Sequence, residues 1–584
     1  MSAGFIPFRE IALCLSGGGY RAAGFHLGLL NYLNNIEVSD GTMLTRVKAI
    51  STVSGGTIIG AYYALSDAQG KSFIDFFKEF RTFLIEHDLV KESFEKLSGK
   101  KKWIHATKNP NLINAFAEIY DQLLTEGHSM KSISESSLGH LSLCAFNTTE
   151  FRHGINFRFQ SEKVKGAPYK RLKRGNHYLP IAYDVQCEIR ISDIIAASSC
   201  FPGGFEPMKF PHDFCGEDTP LLKGLKGRTD YKEGIGIMDG GIYDNQGIDS
   251  IRISEKRRAS RQLEHASDEE KERLPYDLLI ISDVSSPDII HPFQFHKTQD
   301  RKISHYSYDH LIQWANKIKA LWLWIAVLMS LGGLMMALIN GWEDNIVTGV
   351  SMMIFLIGIV IIGLRMVVSR RLYYWHKEAT EFLANSIDDF YLKKVSSLDF
   401  RKYKLSDLEP LVMDRFNSVS LMVQDLFLKQ VRRLKYNSIY EDPIYEHRRM
   451  ASLIKLLKED DWDKTSEYQK YDDIDVLLKG SYREVMGDLI PLIIDEASSF
   501  GTTLWFTEED KWKEISDKLI VTGQLTMCFN LMTYVEEIKN TGIWRKLSED
   551  NKSEIMQVFT QCKKDWVQLK KDPYSLLNQA LINQ

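Results

Sequence analysis

The stretch that decides the fold is IALCLSGGGYR, residues 11–21. Its apolar run breaks at Ser16 and three glycines, and a helical pattern follows from Arg21 to Leu33. The same order recurs where the apolar run Val47–Val53 meets Ser54-Gly55-Gly56 and then the helix-like stretch Thr57–Leu65. Two strand–turn–helix units predict an α/β sheet with its chemistry at the strand ends.

Length and composition set broad limits on the rest of the chain. With 584 residues it is long enough for two or three structural units. A formal net charge of −4 argues against a general nucleic-acid binder. Seven cysteines without a CxxC pair indicate reduced thiols in the cytosol, and not a disulfide or zinc framework. Met1–Glu10 lacks the pattern of a cleavable secretion signal.

Periodicity predicts how the sheet continues. Strand-like runs occur at Leu141–Phe146, Gly236–Met238 and Leu278–Ile281, so we expect the sheet to extend to about Asp283. The other expectations are helices over 71–124, an exposed loop or surface helix over 255–273, an amphipathic helix over 419–434 that covers one face of the sheet, and a strand-like piece over 501–505.

Two uncharged segments, Ala320–Ile339 and Ile346–Leu364, stand apart from this pattern. Each has about the length that crosses a ~30 Å hydrocarbon core. The linker over 340–345 is long enough only for a tight turn and contains Glu343 and Asp344. We therefore predict a transmembrane hairpin, with a buried core hairpin of a soluble protein as the alternative.

Basic residues flank this hairpin on both sides. They are Arg301, Lys302, Lys317 and Lys319 before it, and Arg365, Arg370, Arg371 and Lys377 after it. The positive-inside rule then predicts an integral protein of the plasma or inner membrane with both large flanks in the cytoplasm.

Ser54 has the setting of a nucleophile. It follows a β-rich run and precedes two glycines, which is where a sharp strand-to-helix turn would present a hydroxyl. The pattern departs from G-x-S-x-G, because Thr52 occupies the position of the first glycine. A small turn residue that caps a helix is the alternative interpretation.

The glycine run Gly17, Gly18 and Gly19 suits an oxyanion hole. Attack by Ser54 on an ester would build negative charge on the carbonyl oxygen, which backbone N–H groups at a helix N-terminus can stabilise. Arg21 adds a positive charge just inside the helix. The alternative is a dinucleotide-binding turn, since Gly17, Gly19 and Ala22 fit G-x-G-x-x-A, but no strand that ends in an acid follows at the required distance.

Asp239 is the candidate base. It ends the short apolar run 235–238 and precedes Gly240 and Gly241, so a carboxylate would project beside small residues. A plain hairpin turn is the alternative. No histidine occupies a comparable turn, and His26, within the first helix, is expected to be structural.

Together these motifs resemble the patatin-like phospholipase family, which has a glycine-rich loop followed by Arg or Lys, a serine elbow and an Asp-Gly-Gly or Asp-Gly-Ala turn. Here they occur in that order as Gly17–Arg21, Thr52–Gly56 and Asp239–Gly241. The stretch Ala196–Pro202 is similar to the family's Ala-Ser-x-x-x-Pro segment near the active site. The resemblance covers roughly residues 8–285 and loosely resumes beyond Val419.

The resemblance implies a three-layer α/β/α sheet domain interrupted by the two-helix transmembrane hairpin. We expect the main catalytic part over 1–310, the hairpin over 311–375, and a mainly helical part over 376–584 that completes or flanks the catalytic domain. It also implies a Ser54–Asp239 dyad that acts without histidine, metal or cofactor, with Gly17, Gly18, Gly19 and Arg21 at the oxyanion hole.

The resulting hypothesis is a membrane-anchored serine hydrolase of phospholipid acyl esters. Its expected partners are a membrane phospholipid and the bilayer, with no nucleic acid and a possible homo-oligomer. Basic residues over 163–174 would contact anionic headgroups, or else form a solvated loop. The alternative function is a membrane scaffold or regulatory protein that keeps the fold without catalysis.

Overall fold

The computed structural model describes residues 5–105, 108–163, 174–214, 234–265, 276–285, 293, 295, 306–339, 345–386, 402 and 404–582. The chain divides into two compact units. Met1–Ile290 and Asp425–Gln584 form the first, and His291–Gln424 forms the second. The predicted boundaries at residues 310 and 375 stay predictions. Of the basic residues over 163–174, those at 164–173 lie outside the described residues, and Arg174 is buried, which disagrees with its predicted contact with headgroups.

Ten of the twelve described strands form one mixed sheet in the first unit. The strands are β1 (Ile11–Leu15), β2 (Glu37–Val38), β3 (Gly41–Thr42), β4 (Val47–Val53), β5 (Leu143–Glu150), β6 (Ile155–Glu162), β7 (Arg174–Gly175), β8 (Pro180–Ile181), β9 (Met208–Phe210), β10 (Ile235–Asp239), β11 (Leu278–Asp283) and β12 (Arg449–Leu453). The main order is β12-β11-β1-β4-β5-β6-β7-β8, β10 pairs with both β5 and β9, and β2 pairs with β3 as a separate ribbon.

The centre of the sheet is parallel. β1 lies between β11 and β4, while β12 and β5 extend the parallel part on either side. Every residue of β1 and β11 is buried, as expected where helices cover both faces. The predicted α/β class is therefore confirmed as a mixed sheet with surrounding helices.

Helices precede and follow the central strands. Up to β11 they are α1 (Gly19–Asn35), α2 (Gly55–Gln69), α3 (Phe73–Glu86), α4 (Leu89–Leu97), α5 (Leu112–Tyr120), α6 (Met130–Ser134), α7 (Tyr183–Glu188), α8 (Ile191–Ser198), α9 (Gly241–Asp244) and α10 (Ile248–His265). Beyond β11 they are α11 (Tyr308–Ile339), α12 (Asn345–Ser386), α13 (Leu405–Leu421), α14 (Leu428–Tyr440), α15 (Trp462–Thr465), α16 (Tyr482–Met486), α17 (Leu489–Ser499), α18 (Glu508–Trp512), α19 (Ile515–Lys539), α20 (Gly542–Lys546), α21 (Glu549–Lys571) and α22 (Ser575–Ile582).

Side chains of β1 alternate between two cores. Ile11, Leu13 and Leu15 belong to the larger core, which they share with residues of α1, α2 and α19. Ala12 and Cys14 belong to the smaller core, which they share with residues of α10 and α14. This alternation follows from the twofold repeat of a strand, and it places helices on both faces of the sheet.

Most central elements match their predicted ranges. β1 and β4 have the predicted bounds, and α1 and α2 extend the predicted helices in both directions. The strand-like expectation over 501–505 is wrong, because this segment is irregular and its Thr503 carbonyl accepts a hydrogen bond from the Tyr20 amide at the start of α1. β6 was missed because several of its buried residues are polar, among them Asn156 and Gln160.

The second unit contains two helices that are long and apolar enough to cross a membrane. The candidate spans are Ala320–Ile339 and Ile346–Val367, and 17% of the apolar 18-residue stretch in each span is buried. The two helices pack on each other where Gly333 meets the backbone of Ser351 and Phe355. So little burial disfavours the buried core hairpin of a soluble protein. Of the predicted turn over 340–345, residues 340–344 lie outside the described residues, and Asn345 begins α12.

Helices α1 and α19 approach each other backbone to backbone. A Cβ built at Gly28 would overlap the carbonyl group of Ile520, and one at Gly523 would overlap the carbonyl of Phe25. Backbone atoms cannot rotate away as side chains do, so neither position has room for a methyl group. Residues that follow the second unit in sequence are thus part of the core around the sheet.

We expect Gly28→Ala to destabilise the protein by about 1–3 kcal/mol, because the added methyl group must push two helices apart. Gly542→Ala is the matched control, since a Cβ at this helix start meets nothing within 4 Å. Its stability should stay within about 0.5 kcal/mol of the parent. Thermal unfolding of both full-length variants in detergent measures the difference, and equal melting temperatures would contradict the close packing.

Candidate active site

Ser54 lies at a sharp turn between β4 and α2. Its backbone has φ 52° and ψ −123°, a conformation that residues with a side chain rarely adopt and that costs of the order of 1–3 kcal/mol. The surrounding structure holds it there, since the Ser54 N–H donates to Ser198 Oγ over 3.0 Å and the Ser54 carbonyl accepts from the Thr57 N–H over 2.7 Å. The residue stays partly exposed while its neighbours on both sides are buried.

The residues around Ser54 fit the turn through small side chains. A Cβ at Gly55 would overlap the backbone of Gly19, and one at Gly56 would overlap the carbonyl of Leu15. Thr52, which replaces the usual first glycine, fits because Gly60 on α2 faces it and leaves space for its methyl group. The departure at Thr52 is therefore compatible with the turn.

Asp239 reaches Ser54 because two strands meet end to end along β5. β4 runs parallel to β5 and ends with Val53 opposite Asn147. β10 runs antiparallel to β5 and ends with Asp239 opposite Thr148, the next residue of β5. The carboxyl ends of β4 and β10 therefore meet, and the side chains of Ser54 and Asp239 come together there.

Asp239 is a buried carboxyl group with two hydrogen-bond donors. It is 6% exposed, and its Oδ1 accepts the Gly241 N–H over 2.7 Å. Burial raises the pKa of Asp239 to about 6, while hydrogen bonds from the Ser54 side chain and the Gly241 amide act to lower it. Such a group is largely ionised at neutral pH but far more basic than an exposed aspartate.

The segment from Ser198 to Cys200 ties both residues to one support. Ser198 Oγ accepts the Ser54 N–H and donates to the Asn147 carbonyl over 2.7 Å. The Cys200 carbonyl accepts the Asp239 N–H over 3.0 Å. This segment is the Ala-Ser-x-x-x-Pro stretch of the sequence, and its hydrogen bonds fix the backbones of Ser54 and Asp239 relative to each other.

The glycine loop runs beside Ser54. A Cβ at Gly17 would lie 2.9 Å from Ser54 Cβ, and the Gly17 N–H donates to the Asn245 carbonyl over 3.0 Å. Gly18 and Gly19 have φ values of 146° and 57°, which favour glycine. For their two amides no acceptor is found among the described residues. Two of the three predicted glycine amides are thus available to a ligand, and that of Gly17 is engaged.

Arg21 makes a contact that its predicted role did not anticipate. It is 8% exposed, and its Nη1 donates to the Phe500 carbonyl over 2.8 Å. Burial lowers the pKa of Arg21, while the nearby charge of Asp283 acts to raise it. The guanidinium group therefore joins α1 to the segment after α17.

His26 is structural, as expected. Its Nδ1 lies 2.7 Å from Ser282 Oγ and its Nε2 lies 3.0 Å from the Ser16 carbonyl oxygen. Burial lowers the pKa of His26 to about 4, against the hydrogen bond to Ser16. Both nitrogens of this buried imidazole have partners, and the contact with Ser16 stabilises the start of the glycine loop.

Sequence reasoning missed two residues that order the site. Asn147 on β5 donates from Nδ2 to Ser51 Oγ and to the Thr52 carbonyl, and Asn245 accepts the Gly17 N–H. In the sequence, these residues could have been noticed only as an asparagine inside a strand and another just after the Asp239 turn. No group of three metal-ligating side chains is found within the described part of the chain.

The chain is similar to known proteins over part of its length. The family model described as patatin-like phospholipase matches residues 13–251. Solved structures also match, among them human GIVD cytosolic phospholipase A2, with 13% identity and a TM-score of 0.27. That alignment covers 48% of this chain and 46% of the other, so the chain spans about half the length of the solved structure. A comparison with curated proteins finds no match.

The matched range includes the glycine loop, the Ser54 turn and the Asp239 turn. The chain therefore contains a patatin-like phospholipase domain over residues 13–251.

Proposed function

We propose that this protein is a membrane-anchored serine hydrolase that cleaves acyl esters of phospholipids or related lipids with a Ser54–Asp239 dyad. The patatin-like domain supports lipid acyl hydrolysis in general. The observation that carries the finer proposal is the meeting of β4 and β10 along β5, which joins a hydroxyl and a carboxyl group beside two amides without an acceptor among the described residues.

In the first half-reaction, Ser54 Oγ attacks the acyl carbonyl carbon while its proton passes to Asp239. The new C–O bond forms as the carbonyl π pair moves onto oxygen, where the amides of Gly18 and Gly19 stabilise the charge. Collapse of the tetrahedral intermediate expels the lipid alkoxide, which takes the proton from Asp239. An acyl-enzyme on Ser54 remains.

In the second half-reaction, water attacks the acyl-enzyme with Asp239 as base. The intermediate collapses, the proton returns to Ser54 Oγ, and a fatty acid leaves. The elevated pKa of Asp239 helps both steps, because a more basic carboxylate accepts a hydroxyl proton more readily. Each amide donor contributes about 3 kcal/mol to stabilisation of the transition state.

Ser54→Ala should abolish esterase and phospholipase activity, with a loss of about 10³-fold or more, because the variant lacks the hydroxyl that forms the acyl-enzyme. Covalent labelling by a fluorophosphonate should also disappear. Ser98→Ala, at an exposed serine that directly follows α4, is the matched control and should keep both properties. A parent chain that neither hydrolyses ester nor reacts at Ser54 would favour the inactive scaffold instead.

The pH dependence of kcat/KM should follow Asp239. Only the ionised carboxylate can act as base, so we expect the rate to rise with pH and to reach half of its plateau near pH 6. A profile that is flat between pH 5 and 8, measured with a soluble ester, would contradict the assignment of the base.

Asp239→Asn should remove activity without loss of stability. The folded-state pKa of about 6 exceeds the ordinary value of 3.8, so the folded state binds the proton more tightly than the unfolded state does. The contribution of Asp239 to stability is therefore most favourable below pH 3.8 and declines as the pH rises to about 6. At pH 8 the neutral amide should melt at the same temperature as the parent or higher, and a marked decrease in melting temperature would contradict this account.

The proposed anchor is the helical hairpin, with both large flanks in the cytoplasm of the plasma or inner membrane. Its support is the length and apolar character of the two spans, and basic residues such as Lys317 and Arg370 outside them. The proposed substrate, a membrane phospholipid, would then share a membrane with the enzyme. A homo-oligomer stays a prediction.

We expect the chain to remain in the membrane pellet after alkaline carbonate washing. The six described cysteines are buried, so in a Cys215→Ser background a cysteine introduced by Gly341→Cys in the predicted turn offers a selective label. It should react with an impermeant maleimide from outside intact cells or spheroplasts, while Ser98→Cys should react only after lysis. The reverse pattern would overturn the proposed orientation.

A further inference from the structure

Helix α14 contributes Arg432 to an ion pair with Asp283, the buried last residue of β11. Arg432 Nε donates to Asp283 Oδ2 over 2.8 Å, and the Tyr436 hydroxyl donates to the same oxygen over 3.0 Å. Asp283 is the last residue of β11 and is fully buried. Burial acts to raise the pKa of Asp283, but the charge of Arg432 and the hydrogen bonds outweigh it, and the pKa lies below its ordinary value. Arg432 therefore compensates the burial of an ionised carboxylate, which would be strongly unfavourable without a nearby cation.

From Asp283 a chain of hydrogen bonds leads to the glycine loop. Asp283 Oδ1 accepts the Ser285 N–H over 2.8 Å, and Ser285 Oγ accepts from Asn245 Nδ2 over 2.9 Å. The Asn245 carbonyl then accepts the Gly17 N–H over 3.0 Å. Since Gly17 lies directly beside Ser54, each link fixes where the following Gly18 and Gly19 amides point relative to the hydroxyl.

A second residue of α14 holds the other side of the site. Lys435 Nζ lies 2.5 Å from Asp249 Oδ2 and 4.0 Å from the centre of the Tyr243 ring. The Tyr243 N–H donates to the Gly240 carbonyl over 3.1 Å, next to Asp239. One helix thus contacts both the segment behind the glycine loop and the turn that follows Asp239.

We propose that Arg432 is a positioning residue of the hydrolase, which acts through Asp283, Ser285 and Asn245 to keep the glycine loop aligned with Ser54. This inference rests on the proposed function. It also gives α14, which follows directly after the second unit in sequence, a part in the reaction without contact to substrate. Placement matters because a displacement of about 1 Å in a catalytic group can lower a rate by about 10²-fold.

The test compares Arg432→Met with Arg433→Met in the full-length chain. Arg433 is exposed and bonds only within its own helix among the described residues, to Gln430, so its variant controls for loss of a positive charge on α14. With p-nitrophenyl butyrate as soluble probe, we expect Arg432→Met to lower kcat by about tenfold or more with KM within about threefold, and Arg433→Met to stay within about twofold. The rate of fluorophosphonate labelling at Ser54 should fall with kcat.

A rescue variant separates alignment from simple loss of stability. In Arg432→Met with Asp283→Asn, the neutral amide leaves no unpaired buried charge, and its oxygen can still accept the Ser285 N–H. We expect kcat of this double variant to exceed that of Arg432→Met by about threefold or more, and its labelling to be faster than that of Arg432→Met alone. It also keeps the test informative if the single variant does not fold.

The outcomes distinguish this inference from the proposed function. An active parent whose Arg432→Met variant keeps the parental kcat, or loses no more than Arg433→Met, would overturn the positioning role alone. A double variant that folds but stays as slow as Arg432→Met would overturn the route through Asp283. A parent chain that neither turns over the ester nor labels at Ser54 would overturn both.

Discussion

The site depends on one constraint of the sheet: two strands that run in opposite directions end against each other on the same edge of β5. Val53 pairs with Asn147 and Asp239 pairs with Thr148, so adjacent residues of one strand bring together residues far apart in the chain. Backbone pairing alone therefore places the end of β4 next to the end of β10. The hydroxyl of Ser54 and the carboxyl group of Asp239 are neighbours because the register of β5 makes them so.

Two unfavourable features are held at this junction. Ser54 has a left-handed backbone conformation, and Asp239 is a carboxyl group almost without solvent. Each lowers stability by itself, while the turn leaves Ser54 partly exposed and burial makes the Asp239 carboxylate more basic. The hydrogen bonds from Ser198 and Cys200, together with the close packing of Gly55 and Gly56, hold this strained arrangement in place.

Much of the fold was predictable because β1 and β4 are rich in apolar and β-branched residues and each ends at a Ser-Gly turn. β1 and β4 needed no more than this, and the turns after β4 and β10 identified Ser54 and Asp239 as candidates. The rest depends on tertiary contacts that leave no local pattern. The engagement of the Gly17 amide by Asn245 and of Arg21 by Phe500 comes from segments far away in sequence. β6 escaped notice because buried polar residues with partners, such as Asn156, break its alternation.

The strand order has a consequence for biosynthesis. β12 pairs with β11, yet it is translated only after both long apolar helices, so the nascent sheet ends at an open β11 edge while the hairpin is being made. An unpaired edge is a template for wrong partners, and pairings between distant segments form slowly. On the ribosome, the sheet can acquire its last strand only after the hairpin has been synthesised, which makes the order of translation a part of how this fold matures.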